Sequence, residues 1–433
     1  MEFKYKICKV DWENLPKELL TAISQQLTFL EDVISFSIVC KSWQSAVASG
    51  EKPSIPPRFP VLMHIQMKDK EGESDQENYD MRRHRSFGLI SRGLFVSLER
   101  GKKTSTTRSC IRHFESNVWR IKLSEVSYRR CFCSNFGWLL TLHTDLHINL
   151  WHPFSGYKIK LPPNPNFDDL ADPQHPAFGY LFNLFADYEP KEFTDIFIRK
   201  AVLSSNPLHK TTGFDYENRD CVIMAIFSEA GILAFARPGD KAWTKVDVPS
   251  HYYHDIIYYK EKFYAVDCKG ALVLCNLNDD QGPRASVIAP SPEGMIDSFM
   301  KYLVESSGVI MLVLRARTNW YSGTENKNEP PYWTYRFRIF KLEECSQVGT
   351  GYSYNWVQVN NLGRSALFIG TSSSSFCVSD IRGRCKANCL YFTDDFQYEI
   401  GHDMGAFNLE DNTVEHYFLH QPSSSCSTPF WYI

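Results

Sequence analysis

Most of the fold is decided by the stretch Phe263-Tyr264-Ala265-Val266-Asp267-Cys268-Lys269-Gly270-Ala271-Leu272-Val273-Leu274-Cys275-Asn276-Leu277-Asn278. Two short apolar runs, rich in β-branched and aromatic residues, flank a polar pair that contains glycine. This composition is typical of a strand, a tight turn and a second strand. The asparagines at the end favour a further turn. The stretch therefore predicts two antiparallel strands followed by a polar turn.

The closing polar phrase recurs along the chain, each time after an apolar run. Its other copies are Ile148-Asn149-Leu150-Trp151, Phe340-Lys341-Leu342-Glu343 and Phe407-Asn408-Leu409-Glu410. A repeat of strand, turn, strand, phrase and strand at intervals of about 40 to 85 residues is typical of β-propeller blades. We predict about six blades, at residues 59–125, 126–163, 196–249, 252–290, 299–361 and 365–420. A sandwich or barrel of β-hairpins is the alternative fold.

The chain divides into two parts. Residues 10–52 carry helical patterns and predict a small all-α module, whereas residues 56–433 predict an all-β domain, the β-propeller. Within the β domain a hydrophilic loop is expected at 67–85, because this stretch is almost free of apolar residues. Longer insertions are expected at 162–195 and 318–334.

The helical part opens with Leu15-Pro16-Lys17-Glu18-Leu19-Leu20-Thr21-Ala22-Ile23. Pro16 suits a helix start, where its missing N–H would be unpaired anyway. Apolar residues recur at helical spacing in two stripes, Leu19, Leu20, Ile23 and Leu27, then Phe36, Val39, Cys40 and Trp43. A segment this short cannot hide all of its apolar surface by itself. It therefore packs either on the rest of this chain or on another protein.

The Leu15-Pro16 start and the later phrase Val39-Cys40-Lys41-Ser42-Trp43 resemble the F-box. This resemblance implies that the apolar residues of the module bind a Skp-type adaptor and, through it, a cullin/RING ubiquitin ligase. Carried over by position, the adaptor-binding residues are Leu15, Pro16, Leu19, Leu20, Ile23, Leu27, Phe36, Val39, Cys40 and Trp43. One departure is Gln44, where many members of the family carry arginine.

Two sets of motifs in the β domain carry a second resemblance. They are Gly137-Trp138-Leu139 with Pro153-Phe154-Ser155-Gly156, and Leu367-Phe368-Ile369-Gly370 with Asp403-Met404-Gly405-Ala406-Phe407. Together they resemble plant F-box proteins whose C-terminal half is called "domain of unknown function 295". The resemblance implies a role in recognising a substrate of the ligase and nothing more specific.

Composition limits the partners and the compartment. The net charge is only −3, which gives no reason to expect nucleic acid or an anionic membrane as a partner. No apolar stretch reaches the roughly 18 residues of a membrane-spanning helix. The 13 cysteines are odd in number, and no Asn-x-Ser/Thr acceptor occurs. These features favour a reducing compartment, so we expect the protein in the nucleus, the cytoplasm or both.

Aromatic residues are concentrated in the two insertions of the β domain. Loops of this kind on a rigid scaffold are typical of recognition surfaces. The candidate client-binding residues are Phe178, Tyr180, Trp320, Tyr321, Tyr332 and Trp333. The alternative is that these side chains fold back and cover the blades.

No motif for catalysis or for cofactor binding is found in the sequence. There is no nucleophile elbow and no phosphate-binding loop, and the cysteine pairs Cys131/Cys133 and Cys385/Cys389 lack the usual spacing of a zinc site. We expect no metal, no cofactor and no enzymatic activity. The predicted function is substrate recognition in an SCF-type (Skp–cullin–F-box) ligase. An F-box scaffold or regulatory protein that acts outside ubiquitin transfer is the alternative.

Overall fold

The computed structural model describes residues 15–26, 36, 39–49, 61–66, 92–96, 118–122, 128–143, 147–152, 157–163, 198–210, 215–227, 231–250, 252–294, 300–318, 333–345, 353–371, 373–379, 385–395, 403–417 and 430–432. Two helices lie near the N-terminus, α1 (Lys17–Gln26) and α2 (Lys41–Ser49). From residue 61 onward, the described elements are strands, apart from one short 3-10 helix at Asn135–Gly137.

The strands are β1 (Val61–Gln66), β2 (Arg92–Val96), β3 (Val118–Lys122), β4 (Tyr128–Cys133), β5 (Leu139–His143), β6 (Ile148–Trp151), β7 (Lys158–Lys160), β8 (Ile198–Leu203), β9 (Leu208–Lys210), β10 (Asp215–Glu217), β11 (Ile223–Phe227), β12 (Ile232–Ala236), β13 (Thr244–Lys245), β14 (Tyr253–Tyr259), β15 (Lys262–Asp267), β16 (Leu272–Asn276), β17 (Arg284–Ala289), β18 (Met300–Ser306), β19 (Val309–Arg317), β20 (Thr334–Glu344), β21 (Tyr354–Val359), β22 (Ala366–Ile369), β23 (Phe376–Val378), β24 (Cys389–Phe392), β25 (Met404–Asn408), β26 (Thr413–Tyr417) and β27 (Phe430–Tyr432).

Most of these strands form six sheets, numbered here along the chain. Sheet 1 has the strand order β27-β1-β2-β3, sheet 2 β4-β5-β6-β7 and sheet 3 β13-β12-β11-β8. Sheet 4 has the order β14-β15-β16-β17 and sheet 5 β18-β19-β20-β21. Sheet 6 has the order β23-β22-β24-β25-β26, with a parallel pair between β22 and β24. The strands β9 and β10 form a separate hairpin.

Consecutive sheets are neighbours in space. One edge strand of each sheet contacts an edge strand of the next, in the order β27, β4, β8, β14, β18 and β23, and we call these six the inner strands. From sheet 2 to sheet 6, a hydrophobic cluster drawn from both sheets fills each gap between neighbours. Small sheets stacked in this way bury faces that none of them could bury alone, which is the packing of a β-propeller.

The last strand joins the two ends of the β domain. β27 pairs with β1 in sheet 1, so that Trp431 lies opposite Leu62. The Trp431 indole packs on sheet 6, with its ring centre 5.1 Å from that of Phe368, and its Nε1–H donates to the carbonyl of Ile369 at 3.0 Å. A strand from the C-terminus thus connects the first sheet to the last.

The prediction of a helical module followed by an all-β domain is confirmed. Each predicted blade segment contains the strands of one of the six sheets, except that sheet 1 also takes β27 from outside the segment 59–125. The total number of blades stays a prediction. The strands expected within the stretch 263–278 occur as β15 and β16. Periodicity predicts neither β27 nor the hairpin of β9 and β10. These pairings depend on tertiary contacts, and the strands are too short to carry a pattern of their own.

The recurring polar phrase has two structural roles rather than one. The side chains of Asn276 and Asn408 accept hydrogen bonds from the N–H groups two residues further on, at 3.2 and 3.0 Å, which are Asx turns at strand ends. For the other two copies, the prediction of a strand end is wrong. Ile148–Trp151 is β6 itself, and residues 340–343 lie inside β20, where the chain remains extended.

Candidate functional site

The helix α1 begins where the sequence predicts. The Pro16 carbonyl accepts hydrogen bonds from the N–H groups of Leu19 and Leu20, both at 3.1 Å. Glu18 lies in the first turn, where a negative charge is stabilised by the positive end of the helix dipole. Proline therefore starts the helix without losing a hydrogen bond.

The module has a small hydrophobic core of its own. Its buried members are Leu20, Phe36 and Ala46, and the rings of Phe36 and Trp43 are 4.4 Å apart between centres. Leu15 and Trp43 pack at the edge of this core. All five residues of the cluster belong to the module itself. Leu20 is only 1% exposed and Phe36 4%, so these two predicted adaptor-binding residues hold the helices together and do not form an accessible surface.

Other residues of the predicted set project from the module. Leu19 and Val39 are 53% and 52% exposed, and Ile23 and Pro16 are exposed as well. Leu19 and Ile23 are four residues apart on α1, so they lie on the same side of the helix. We call Pro16, Leu19, Ile23 and Val39 the module face. It holds half of the exposed large hydrophobic side chains found in the described part of the chain, Leu19, Ile23, Val39, Phe136, Tyr157 and Tyr335.

The prediction of a single helical stripe over Phe36, Val39, Cys40 and Trp43 is wrong. A turn separates Phe36 from α2, closed by the Val39 N–H, which donates to the Phe36 carbonyl at 3.3 Å. Val39 and the half-buried Cys40 precede the helix, whereas Trp43 lies within it. This turn directs Val39 outward while Phe36 stays in the core. Leu27 lies outside the described residues.

Of the six candidate client-binding residues, the structure describes only Trp333. Its ring contacts that of His416 in sheet 6, with 4.2 Å between centres, and its carbonyl accepts a hydrogen bond from the Thr318 N–H at 2.9 Å. Trp333 therefore packs between sheets 5 and 6, as the alternative of a folded-back loop predicts. Phe178, Tyr180, Trp320, Tyr321 and Tyr332 lie outside the described residues, and their role stays a prediction.

A buried ion cluster between sheets 5 and 6 was not found by sequence reasoning. Arg315 in β19 is 0% exposed and pairs with Asp395 at 2.8 Å and with Asp403 at 3.0 Å. Its Nε–H also donates to the Thr334 hydroxyl at 2.7 Å. The Tyr302 hydroxyl donates to Asp395 as well. The charges are thus paired and hydrogen-bonded inside the protein, as buried charges must be.

The sequence offers a signal for this cluster. Arg315 interrupts the apolar run Val309–Leu314, so that a long charged side chain lies in the middle of a buried strand. The Asp394-Asp395 pair admits two interpretations from sequence, a turn or a pair of catalytic carboxylates. The structure instead places Asp395 against Arg315, while Asp394 accepts a hydrogen bond from the Asp403 N–H at 3.2 Å. Asp395 therefore connects sheets 5 and 6, whereas the Asp394 carboxylate joins the ends of β24 and β25 within sheet 6.

The described residues contain no group of three or more His, Cys, Asp and Glu side chains arranged to hold a metal ion. Burial raises the pKa of the Cys389 thiol to about 11, which describes a neutral thiol. In the same part of the chain, no helix has the length and apolar character needed to cross a membrane.

Comparison with known families defines the class of protein. Residues 12–53 match the F-box domain, and residues 107–408 match the KIB1-4 β-propeller. The molecule thus combines an F-box module with a propeller. The second match covers most of the chain, and the chain belongs to the KIB1-4 β-propeller family.

Curated relatives from Arabidopsis thaliana are similar along nearly their whole length. F-box protein SKIP23 is 25% identical, over 94% of this chain and 91% of the relative. Putative F-box protein At5g55150 is 22% identical, over 97% of this chain and 96% of the relative. The predicted resemblance to plant F-box proteins is confirmed, whereas the name "domain of unknown function 295" stays a prediction.

Proposed function

We propose that this protein is a substrate-recognition subunit of an SCF-type ubiquitin ligase. Its module face would bind a Skp-type adaptor, and the propeller would hold a client protein. The observation that carries the proposal is the exposure of Leu19, Ile23 and Val39 on a module that the F-box family matches. Apolar side chains that remain exposed side by side, as Leu19 and Ile23 do on α1, are typical of a surface that another protein covers.

The chemistry in this proposal belongs to other subunits. The receptor gains rate by holding the client and the ubiquitin donor in one complex, which turns a bimolecular encounter into an effectively intramolecular one. F-box and propeller families are typically non-catalytic, in agreement with this role.

The proposed compartment is the nucleus or the cytoplasm. Eight cysteines in the described residues are free thiols, among them the buried Cys221, Cys275 and Cys389. Free thiols in this number are typical of proteins from a reducing compartment.

A binding measurement with a purified Skp-type adaptor tests the proposal. We expect the wild-type protein to form a stable complex and the double variant Leu19→Ala/Val39→Ala to bind about 30-fold more weakly or worse. Each truncation removes apolar area that the complex would bury, and a total loss of about 2 kcal/mol corresponds to that factor. Isothermal titration calorimetry or surface plasmon resonance gives the two dissociation constants.

A matched control is Tyr335→Ala, because Tyr335 is 55% exposed but lies in β20, outside the module. Its affinity for the adaptor should equal that of the wild type. The receptor proposal fails if the folded wild type does not bind the adaptor. If the wild type and the double variant bind the adaptor equally well, Leu19 and Val39 do not contribute to the interface, and the module face is not the binding surface.

A further inference from the structure

The strand β20 extends well beyond its outer partner in sheet 5. It comprises Thr334–Glu344, but its pairing with β21 begins only at Ile339, which lies opposite Val359. In sheet 4, by contrast, β17 pairs with the whole length of β16. Among the described strands, none pairs with the outer side of β20 over residues 335–338. We call these residues the open edge.

The chain that follows β21 is held away from the open edge. Gly363 has a left-handed φ of +61°, and its N–H donates to the Asn361 side chain at 2.6 Å. The Leu362 N–H donates to the Asn388 side chain at 2.8 Å, and Leu362 packs on the hydrophobic cluster between sheets 5 and 6. This turn leads the chain into sheet 6, so that β21 ends at Val359 and leaves the open edge without a neighbour on that side.

Two arginines lie on one face of the open edge. Arg336 and Arg338 are two residues apart on a strand, so their side chains point to the same face. The Arg338 guanidinium lies over the ring of Phe340, 4.9 Å from its centre, and donates to the carbonyls of Gly294 at 3.0 Å and Glu293 at 3.4 Å and to the Gln358 side chain at 3.3 Å. These three acceptors are uncharged, so Arg338 is held in place with its charge unpaired by them.

The positive charge of this face has no counterpart on the open edge, which contains no acidic residue. Arg336 is exposed and makes no ion pair within the described part of the chain. The carboxylates of Asp395 and Asp403 are occupied by Arg315. The exposed Glu293 offers Arg338 its carbonyl, and no ion pair joins these two among the described contacts. A partner that carries carboxylates therefore complements this surface.

The open edge also presents an exposed aromatic side chain. In the pairing of β19 with β20, Ala316 faces Arg336 while Arg317 faces Thr334, so Tyr335 is the extra residue of a β-bulge. Bulges re-aim a side chain out of the regular alternation and are common next to functional sites. Tyr335 is 55% exposed, more than any other large hydrophobic side chain in the described residues. Tyrosine supplies a large contact area at a low entropic cost, which makes it frequent in protein interfaces.

We infer that the open edge binds an extended acidic segment of the client, which adds to sheet 5 as a further strand beside β20. The inference rests on the proposed function, because it supplies that receptor with a surface for its client. The backbone groups of an unpaired strand edge pair with an extended chain, and the side chains decide which chain binds. Carboxylates at alternate positions of the segment would face Arg336 and Arg338, and Tyr335 would pack on the added strand.

Binding of a labelled peptide that alternates glutamate with valine, followed by fluorescence anisotropy on the full-length protein, tests the open edge. We expect saturable binding with a Kd below about 1 mM, and much weaker binding of a peptide that alternates lysine with valine. Two further glutamate–valine peptides carry N-methyl groups on either their odd or their even residues. At least one of them should lose binding, because an added strand needs the N–H groups along one of its edges.

The variant Arg336→Glu should bind the glutamate peptide about 10-fold more weakly or worse, since it places like charges opposite each other. The matched control Arg364→Glu changes the net charge equally at an exposed residue of the turn after β21 and should bind like the wild type. Tyr335→Ala should also bind the peptide more weakly. All three side chains are exposed, so we expect the variants to fold.

The inference is overturned if the wild type does not bind the glutamate peptide, if Arg336→Glu binds it like the wild type, or if both N-methylated peptides bind fully. A dimer of the wild type that Tyr335→Ala loses would assign the open edge to a second copy of this chain and would also reject the client. Adaptor binding is measured separately. A protein that binds the adaptor but not the peptide rejects only the open edge, and one that binds the peptide but not the adaptor rejects only the receptor role.

Discussion

At the scale of single residues, the stability of the seam between sheets 5 and 6 depends on Arg315. Its guanidinium is fully buried, and two carboxylates and a threonine hydroxyl receive its hydrogen bonds. An apolar replacement would leave Asp395 and Asp403 buried without their cation. Removing one partner of a buried ion pair is far more costly than replacing both.

We therefore expect Arg315→Met to lower the free energy of unfolding by about 3–5 kcal/mol. Urea denaturation followed by tryptophan fluorescence measures the change. The control is Arg338→Met in β20 of the same sheet, where the half-buried side chain donates to the Gly294 carbonyl at 3.0 Å. It should lose less than about 1 kcal/mol. Equal stability of Arg315→Met and the wild type would show that the carboxylates find other partners.

The same cluster makes the protein sensitive to acid. Burial by itself raises the pKa of Asp395, but the charges of Arg315 and Arg317 and the hydrogen bonds from Thr371 and Tyr302 outweigh it, so the pKa lies below its ordinary value. A carboxyl whose pKa is depressed in the folded state stabilises the protein above its unfolded pKa. That stability is lost as the pH falls through the folded pKa.

We expect the free energy of unfolding to fall as the pH decreases below about 4, and Asp395→Asn to flatten this part of the profile. The variant is less stable at pH 7 but loses less between pH 5 and pH 3. Denaturation curves at several pH values give both profiles. An unchanged slope in Asp395→Asn would assign the acid sensitivity to other carboxyls.

At the scale of elements, the short strand β27 joins sheet 1 to sheet 6. It comprises only Phe430–Tyr432, yet it pairs with β1 and sends the Trp431 side chain into the cluster of sheet 6. Trp431 is 2% exposed, and its indole N–H has a carbonyl partner. Truncation would leave a cavity and remove one of the two hydrogen bonds that the Ile369 carbonyl accepts, the other coming from the Thr393 N–H.

For Trp431→Ala we expect a loss of about 3–5 kcal/mol in the free energy of unfolding, with a smaller loss for Trp431→Phe, which keeps most of the packing. Thermal or urea unfolding measures both. The exposed Tyr335→Ala is the control and should be close to neutral. A small effect of Trp431→Ala would mean that sheets 1 and 6 are held together without β27.

Elements with a strong local pattern were predictable from the sequence, and the others were not. The pair β15 and β16 was expected because alternating apolar runs and a glycine turn determine a hairpin locally. The turn before α2 was missed, since Phe36, Val39 and Trp43 keep helical spacing although the chain leaves the helix at Val39. Spacing alone does not distinguish an exposed side chain from a buried one on the same module.

At the scale of the whole molecule, a small helical module precedes a large body of stacked sheets. Among the described residues, the hydrophobic cluster of the module is made of module residues, Leu20, Phe36 and Ala46 with Leu15 and Trp43 at its edge. The exposed residues of the module are available to a partner, as the proposed adaptor complex requires. The double variant in the module face and the Tyr335→Ala control separate this binding from the stability of the sheets.

Sequence patterns were enough to predict the class of each part: a helical module whose first helix starts at Pro16, and a series of sheets from the repeated strand pattern. These features are local, because capping, apolar periodicity and turn residues act over a few neighbouring positions. Three features became visible only in the folded protein: Leu20 is buried while Leu19 is exposed, Trp431 joins sheet 1 to sheet 6, and Arg315 pairs with its carboxylates. These outcomes depend on contacts between residues far apart in the chain, and no local pattern records such contacts.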